Sequence, residues 1–283
     1  MTPIALALVL ASAGIHATWN LLAKGVGGDG GAVAWTFATV GAIALLPWGA
    51  WTWRAGGHEL GLVAWAFLLG SAFLHIGYMV SLQKGYGAGD LSIVYPLARG
   101  TGPALATVAA IALLGERPSL LALSGTALVV VSAFALTGGA SRPTARALGM
   151  GLATGVFIAG YTLWDATAVS RIGIAPILFA WLSETMRALL LAPVAWRRRR
   201  SLAVTWRRAW RSMIMVGVLS PLAYLLVLEA FRLAPVSLVA PAREISILLT
   251  VALGTGLLGE AGGYRRLVAG AGMAVGVALV ARG

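Results

Sequence analysis

The stretch Ser92–Glu116 reads S-I-V-Y-P-L-A-R-G-T-G-P-A-L-A-T-V-A-A-I-A-L-L-G-E, an apolar run with a proline and an arginine in its first third. A related segment later in the chain, S-L-V-A-P-A-R-E, also leads into a closing Leu-Leu-Gly-Glu. Arg99 precedes Glu116 by 17 positions, and Arg243 precedes Glu260 by the same 17. Because about 20 apolar residues are needed to span a bilayer, this pattern predicts one membrane-embedded unit that occurs twice.

Composition supports a membrane class for the whole chain. The 283 residues are 59% hydrophobic and 11% charged, with a mean hydropathy of +0.89. Soluble domains carry roughly 25% charged residues. The core of a soluble protein of this size could not bury so large a share of apolar residues, so we predict a polytopic membrane protein.

Several function classes lack the residues that they need. The chain has no cysteine, which excludes disulfides and thiolate metal sites. The phosphate-binding pattern G-x-x-x-x-G-K-[ST] does not occur, and no catalytic or metal-ligand constellation is found. We therefore expect neither an enzyme nor a protein that uses a cofactor.

Ten long apolar runs organise the sequence. In lipid every backbone polar group must be satisfied within its own segment, so these runs predict helices and an all-α membrane protein with ten transmembrane helices. The runs cover about 3–23, 31–52, 60–83, 91–114, 118–137, 147–169, 174–195, 210–231, 236–258 and 263–281. The basic stretch from Arg197 to Arg211 is expected to lie in the longest connection.

The repeat extends beyond the quoted segments. Trp19 lies 145 positions before Trp164, and Pro47 lies 146 before Pro193. The chain is therefore predicted to contain two five-helix units, 1–140 and 141–283. Five crossings start the second unit from the opposite side, so the two units are expected to be inverted, with a site at their interface near mid-bilayer.

The positive charges predict an orientation. Loops after the odd-numbered runs carry 13 of the 21 lysines and arginines, so the positive-inside rule places them in the cytoplasm and both termini outside. The net charge of +12 is interpreted as topology signals and contacts with anionic membrane lipid, not as a nucleic-acid surface.

Three segments resemble a known family: H-A-T-W-N-L-L-A-K at 16–24, G-D-L-S-I-V-Y-P-L-A-R-G at 89–100, and 234–260 with its closing Leu-Leu-Gly-Glu. They are similar to bacterial EamA-type transporters of the drug/metabolite transporter superfamily. The resemblance implies an inner-membrane carrier of amino acids or amines that often works outward. We therefore predict a secondary transporter with a small-molecule substrate, possible proton coupling, and a monomeric or homodimeric state. Alternatives are a lipid head-group flippase or a non-transporting sensor subunit.

Charged residues inside the runs are the first site candidates, because each costs about 2.5–3.5 kcal/mol at the bilayer centre unless it faces a cavity or a partner. Arg99 either extends its charged head to the interface or belongs to a site or gate. The glycines and proline at 100, 102 and 103 make this run a candidate for a broken helix.

Arg243 and Glu244 occupy the matching position of the ninth run. Adjacent helical residues point about 100° apart, so one is expected to pair with another helix while the other faces the cavity. Glu244 has no acidic counterpart in the first unit, where Gly100 follows Arg99. It is a candidate proton carrier or cation ligand, and the alternative is a structural ion pair.

Glu184 and Arg187 lie three positions apart in the seventh run and therefore on one helical face. They also lack counterparts in the first unit. They form either a coupling site or a self-neutralised pair that enters the membrane at low cost.

Polar and aromatic residues complete the candidate site. His16, Asn20 and Tyr161 either line the site or make ordinary hydrogen bonds between helices, and Tyr95 joins them from the 89–100 segment. Tyr78 and Tyr224 are expected to line the cavity as a symmetric pair.

Two further ionisable residues, Asp165 and His75, are expected to lie outside the site. Asp165 is expected at the membrane interface, because it lies close to the end of the sixth run. His75 is expected to be a packing residue whose polar groups are satisfied by neighbours.

Overall fold

The structure, a computed structural model, describes residues 1–57, 59–86, 91–137, 144–258 and 264–283, which form helices and connections without a strand. The helices are α1 (Pro3–Lys24), α2 (Gly30–Thr52, extended by a π-helical segment Trp53–Gly57), α3 (Leu62–Tyr86), α4 (Leu91–Leu114), α5 (Leu120–Thr137), α6 (Ala145–Ser170), α7 (Pro176–Arg197), α8 (Arg199–Leu233), α9 (Val236–Ala242), α10 (Ile245–Leu258) and α11 (Tyr264–Arg282). Within these ranges eight spans are long and apolar enough to cross a membrane, and 120–136 and 267–282 are shorter apolar helices. The all-α membrane fold is confirmed.

Polar side chains fix where several helices begin. Thr2 accepts a hydrogen bond from the Ala5 backbone N–H at α1, and Asp29 accepts one from Ala32 at α2. Thr144 caps α6 in the same way. Each cap satisfies a backbone donor that the first turn of a helix leaves unpaired.

The helices of the two predicted units pack mainly against each other. The most extensive contacts join α1 to α8, α3 to α6, α2 to α7, α5 to α11 and α4 to α6. If the two units are exchanged, the α1–α8 and α3–α6 pairings replace each other, and the α2–α7 and α5–α11 pairings map onto themselves. A pseudo-two-fold relation requires this pattern. The inversion of the units and their boundary at 140/141 stay predictions.

Glycines allow the closest of these helix contacts. A Cβ atom on Gly125 of α5 would lie 2.7 Å from the carbonyl oxygen of Gly276 on α11, and one on Gly276 would lie 2.9 Å from the Gly125 carbonyl. Small residues at membrane helix contacts let the backbones approach in this way. The abundant glycines therefore serve packing at this crossing.

The basic stretch is helical, which corrects the expected loop. α8 begins at Arg199, far ahead of the predicted start at 210, and changes direction at Ala209, where φ is −133° and ψ is 21°. Before this kink the helix exposes its arginines, while Thr205 is buried and Arg208 donates to the Val26 carbonyl at 2.7 Å. The start of the helix was missed because its arginines lower the mean hydropathy of the segment. Arginines nevertheless suit a helix at the membrane surface.

The helix break occurs in the ninth run instead of the fourth. α4 continues from Leu91 to Leu114, whereas the ninth run is divided into α9 and α10 by a turn at Arg243 and Glu244. Pro241 has no N–H for a helical bond, and the next bonds are short-range, with Glu244 N–H donating to the Pro241 carbonyl and Ile247 N–H to the Glu244 carbonyl. The break expected after Arg99 was wrong.

Glu116 links the α4–α5 connection to the start of α9. Its two carboxylate oxygens accept hydrogen bonds from the backbone N–H groups of Val236 and Ser237, each at 2.8 Å. Gly115 supplies the turn before it with a φ of +70°, a conformation that glycine adopts without strain. The closing motif of the first unit therefore anchors a helix of the second. Its repeat mate Glu260 lies outside the described residues.

Candidate functional site

A cavity of about 710 Å³ lies within the helix bundle. α1 to α4 of the first unit line it together with α6, α7, α8 and the turn after α9 of the second. Small-molecule sites occupy roughly 300–1,000 Å³, so the volume suits a metabolite. Nine of the eleven candidate residues lie on its wall: His16, Asn20, Tyr78, Arg99, Tyr161, Glu184, Arg187, Tyr224 and Arg243.

The remaining two candidates do not appear on the described wall. Glu244 is buried, with 1% of its surface exposed, and contacts the wall residue Arg99. The side chain of Tyr95 lies outside the described residues.

Arg99 and Glu244 form an ion pair between the two units. Arg99 is 6% exposed, and 3.0 Å separates its Nε from Glu244 Oε2. Arg99 also donates through Nη2 to Ser246 Oγ at 3.0 Å. Extension of the arginine to the membrane interface is therefore wrong. The pair ties α4 to the turn between α9 and α10.

Glu184 and Arg187 form the second ion pair, within α7. Arg187 donates a hydrogen bond through Nη2 to Glu184 Oε1, and both side chains line the cavity. Gly41 of α2 faces this carboxylate, and a Cβ atom there would lie 3.3 Å from Glu184 Cδ. The self-paired arrangement considered for these residues is the observed one. Its position on the wall leaves Glu184 within reach of the cavity.

Asp165, expected to lie at the membrane interface, is the centre of a third polar group. It is fully buried on α6, accepts a hydrogen bond from Tyr224 Oη at 2.6 Å, and lies 3.0 Å from His75 Nε2. His75 thus has a polar partner, as expected of a satisfied packing residue, and it also lies on the cavity wall. The sequence contained a sign of this role, because Asp165 occupies the position in the second unit that matches the wall residue Asn20 in the first.

Aromatic rings form one side of the cavity. Tyr161 stacks on His75 with ring centres 4.2 Å apart and contacts Tyr78 and Tyr224 at 5.8 and 6.2 Å. On α1, His16 and Trp19 meet edge to face at 4.6 Å. Asn20 donates to the His16 backbone carbonyl at 2.9 Å. The wall therefore combines flat apolar faces with a few fixed polar groups.

Arg243 is the third arginine of the wall. It is 5% exposed, and its Cζ lies 6.0 Å from the centre of the Tyr161 ring. Its Nε and Nη2 are buried and have no hydrogen-bond partner in the described parts of the chain. Its neighbour Glu244 pairs with Arg99, so the two adjacent residues divide their roles as expected.

The cavity reaches the surface at one end of the bundle. Its wall includes Lys24 at the end of α1 and Gln83 near the end of α3, and both are exposed. The opposite halves of the helices are filled by an apolar core that includes Leu68, Phe179 and Phe231. The open end is the one with the basic segment before Ala209.

Comparison with known proteins identifies the family. Residues 145–282 match the model of the EamA-like transporter family. An EamA-like transporter domain forms the second half of this chain. The resemblance to the drug/metabolite transporter superfamily is thereby confirmed, and the family is generally non-enzymatic. Together with its apolar helices, the EamA-like domain makes the chain a multi-pass membrane protein.

The fold is also found among solved structures. A crystal structure, titled only as that of a protein, superposes on this chain with a TM-score of 0.78 at 14% sequence identity. The match covers 99% of this chain and 96% of the other. Comparison with curated proteins gives no significant match.

Proposed function

We propose that this protein is a secondary transporter, not an enzyme, that moves a small polar or amphipathic metabolite, amino-acid-like or amine-like, by alternating access. The observation that carries the proposal is the cavity of about 710 Å³ between the predicted units, with charged and aromatic side chains from both on its wall. Charged groups are retained inside a membrane mainly where they serve a pathway or a partner. A cavity at the interface of two units is where secondary transporters bind their substrates.

The geometry favours Glu184 over Glu244 as the residue that couples transport to protons. Glu184 lies on the cavity wall, where water and substrate have access, and its partner Arg187 lies on the same helix. Glu244 is 1% exposed and contacts Arg99. Protonation of Glu184 would release the Arg187 guanidinium into the cavity and so link charge to substrate binding.

Export from the bacterial cytoplasm is the proposed direction. The cavity reaches the surface beside the basic segment of α8. By the positive-inside rule, this end of the bundle would face the cytoplasm from a bacterial inner membrane. This facing is the one in which an exporter loads its substrate.

Solute counterflow in proteoliposomes tests the proposal. Purified protein is reconstituted, a metabolite extract is loaded, and exchanged compounds are identified by mass spectrometry, which also checks that they leave chemically unchanged. Ser220→Trp places a large side chain on the cavity wall, and Ala112→Trp places the same side chain at an exposed position of α4. We expect exchange by the wild type and by Ala112→Trp but not by Ser220→Trp. Movement of labelled lipid without solute exchange would instead favour a flippase.

A further inference from the structure

Arg243 differs from the other two arginines of the cavity wall. Arg99 contacts Glu244, and Arg187 contacts Glu184. Arg243 has no carboxylate within 4.0 Å in the described part of the chain, and two of its nitrogens are buried without a hydrogen-bond partner. Buried polar groups in native proteins nearly always have partners, so an orphaned guanidinium at a cavity requires an explanation.

The position of Arg243 is fixed by its surroundings. It follows Pro241 at the turn between α9 and α10, and its backbone N–H donates to the Val239 carbonyl at 3.0 Å. Its guanidinium faces the Tyr161 ring, a contact that holds a cation without neutralising it. Donors held in place before binding lose less entropy when a ligand arrives.

Each acidic group around the cavity has a cationic or hydroxyl neighbour, although Asp165 Oδ1 and both Glu244 oxygens make no hydrogen bond within the described residues. Glu184 accepts from Arg187, Asp165 accepts from Tyr224, and Glu244 contacts Arg99. A solute ammonium group would have to compete with Arg187, Tyr224 or Arg99 for these carboxylates. A solute carboxylate would instead supply the oxygens that Arg243 lacks, in the planar arrangement that a guanidinium matches.

We infer that Arg243 binds the carboxylate of the transported solute, and that this solute is a small organic acid with a flat apolar body. The aromatic rings of Tyr161, Tyr78 and Tyr224 provide the surface for that body. The inference rests on the proposed transport function and narrows its substrate class to carboxylates. Simple amines lack the group that Arg243 binds and are expected to bind more weakly than carboxylates.

Binding to the purified protein tests the charge preference directly. The probes share one ring and differ in charge: 3-phenylpropionate, 3-phenylpropanol and 3-phenylpropylamine, with benzoate and hexanoate as further carboxylates. Thermal stabilisation reports binding, and so does a change in total tryptophan fluorescence, because Trp19 lies on the wall. We expect at least one carboxylate to bind about tenfold or more tightly than the alcohol and the amine. Failure of all three carboxylates, or equal binding of the amine, overturns the inference.

Variants assign the preference to Arg243. Arg243→Gln is expected to lose the carboxylate preference, and Arg243→Lys to retain part of it. Arg232→Gln, an exposed arginine paired with Glu229, is the matched control and should bind as the wild type does. A folded Arg243→Gln protein with unchanged carboxylate affinity overturns the assignment, and the probe series on the wild type decides the matter if that variant does not fold.

Flux of the same probes separates this inference from the proposed function. If a carboxylate binds but shows no counterflow, the transport proposal is refuted and the proposal of carboxylate binding at Arg243 is retained. Counterflow of the amine without the carboxylate refutes the Arg243 site and leaves transport.

Discussion

Arg99 and Glu244 lie 3.0 Å apart, Nε to Oε2, and join α4 of the first unit to the turn between α9 and α10 of the second. Both are almost fully buried. Removing one partner of such a pair leaves a buried charge and costs about 3–5 kcal/mol, whereas replacing both with apolar residues is often neutral.

The first prediction follows from this pair. Arg99→Met and Glu244→Met are each expected to lower the thermal stability of the purified protein strongly. The double variant is expected to be more stable than either single one, because no unpaired charge remains. Thermal unfolding in detergent measures this. Additive losses in the double variant would show that the two side chains stabilise the fold independently.

A second prediction concerns proton coupling. Glu184→Gln is expected to abolish the pH dependence of substrate uptake into vesicles, because the amide cannot release a proton. His75 on α3, Tyr224 on α8 and Arg187 on α7 share the cavity wall and stay unchanged. Glu229→Gln on the exposed part of α8 is the control. Retained pH dependence in Glu184→Gln would remove this residue from the coupling mechanism.

The helix contact at Gly125 gives a third prediction. Gly125→Ala is expected to destabilise the protein by about 1–3 kcal/mol, because the new Cβ meets the Gly276 carbonyl and the backbone of α11. Gly149→Ala, at an exposed position of α6 with open space around it, is the matched control. Removing a glycine from a helix there should stabilise by up to about 1 kcal/mol. Melting curves that rank the two variants the other way would contradict the close α5–α11 contact.

Sidedness is the fourth prediction. The chain has no native cysteine, so single cysteines can be labelled without background. Gln83→Cys at the open end of the cavity is expected to react with an impermeant maleimide from the cytoplasmic side only. Glu59→Cys, exposed in the connection between α2 and α3, should react from the outside only. A reporter fused at Gly283 should likewise be found outside. The reverse pattern would invert the orientation and the proposed direction of transport.

Much of the fold follows from the sequence because lipid leaves the backbone few choices. Each of the ten apolar runs is helical in the described residues, eight as spans of membrane length and two as shorter apolar helices, with helix ends within a few residues in most cases. Besides the division of the ninth run, the exception is α8, whose first turns carry arginines that suit water and lipid head groups. Mean hydropathy measures insertion into oil, so it does not detect a helix that lies at the interface.

The site was predictable where a charged residue lies inside an apolar run. Arg243 and Glu184 were found because a charge in an apolar run needs a cavity or partner. Asp165 was misplaced because distance from the end of a run was used instead of its helical face. The sequence could not show which of the two runs contains the helix break, because both carry a proline shortly before the arginine. Packing against other helices decides which run is interrupted.

The difference between the unbroken α4 and the interrupted α9–α10 has an energetic consequence. Suppose that the two units exchange conformations during transport. The resulting state is not equivalent to the starting one, because α4 is continuous whereas the matching segment is divided into α9 and α10 by a turn. The two facings of the empty carrier therefore differ in free energy, and the chain itself sets a preferred resting side. A difference of about 1.4 kcal/mol would already keep ten molecules on that side for each one on the other.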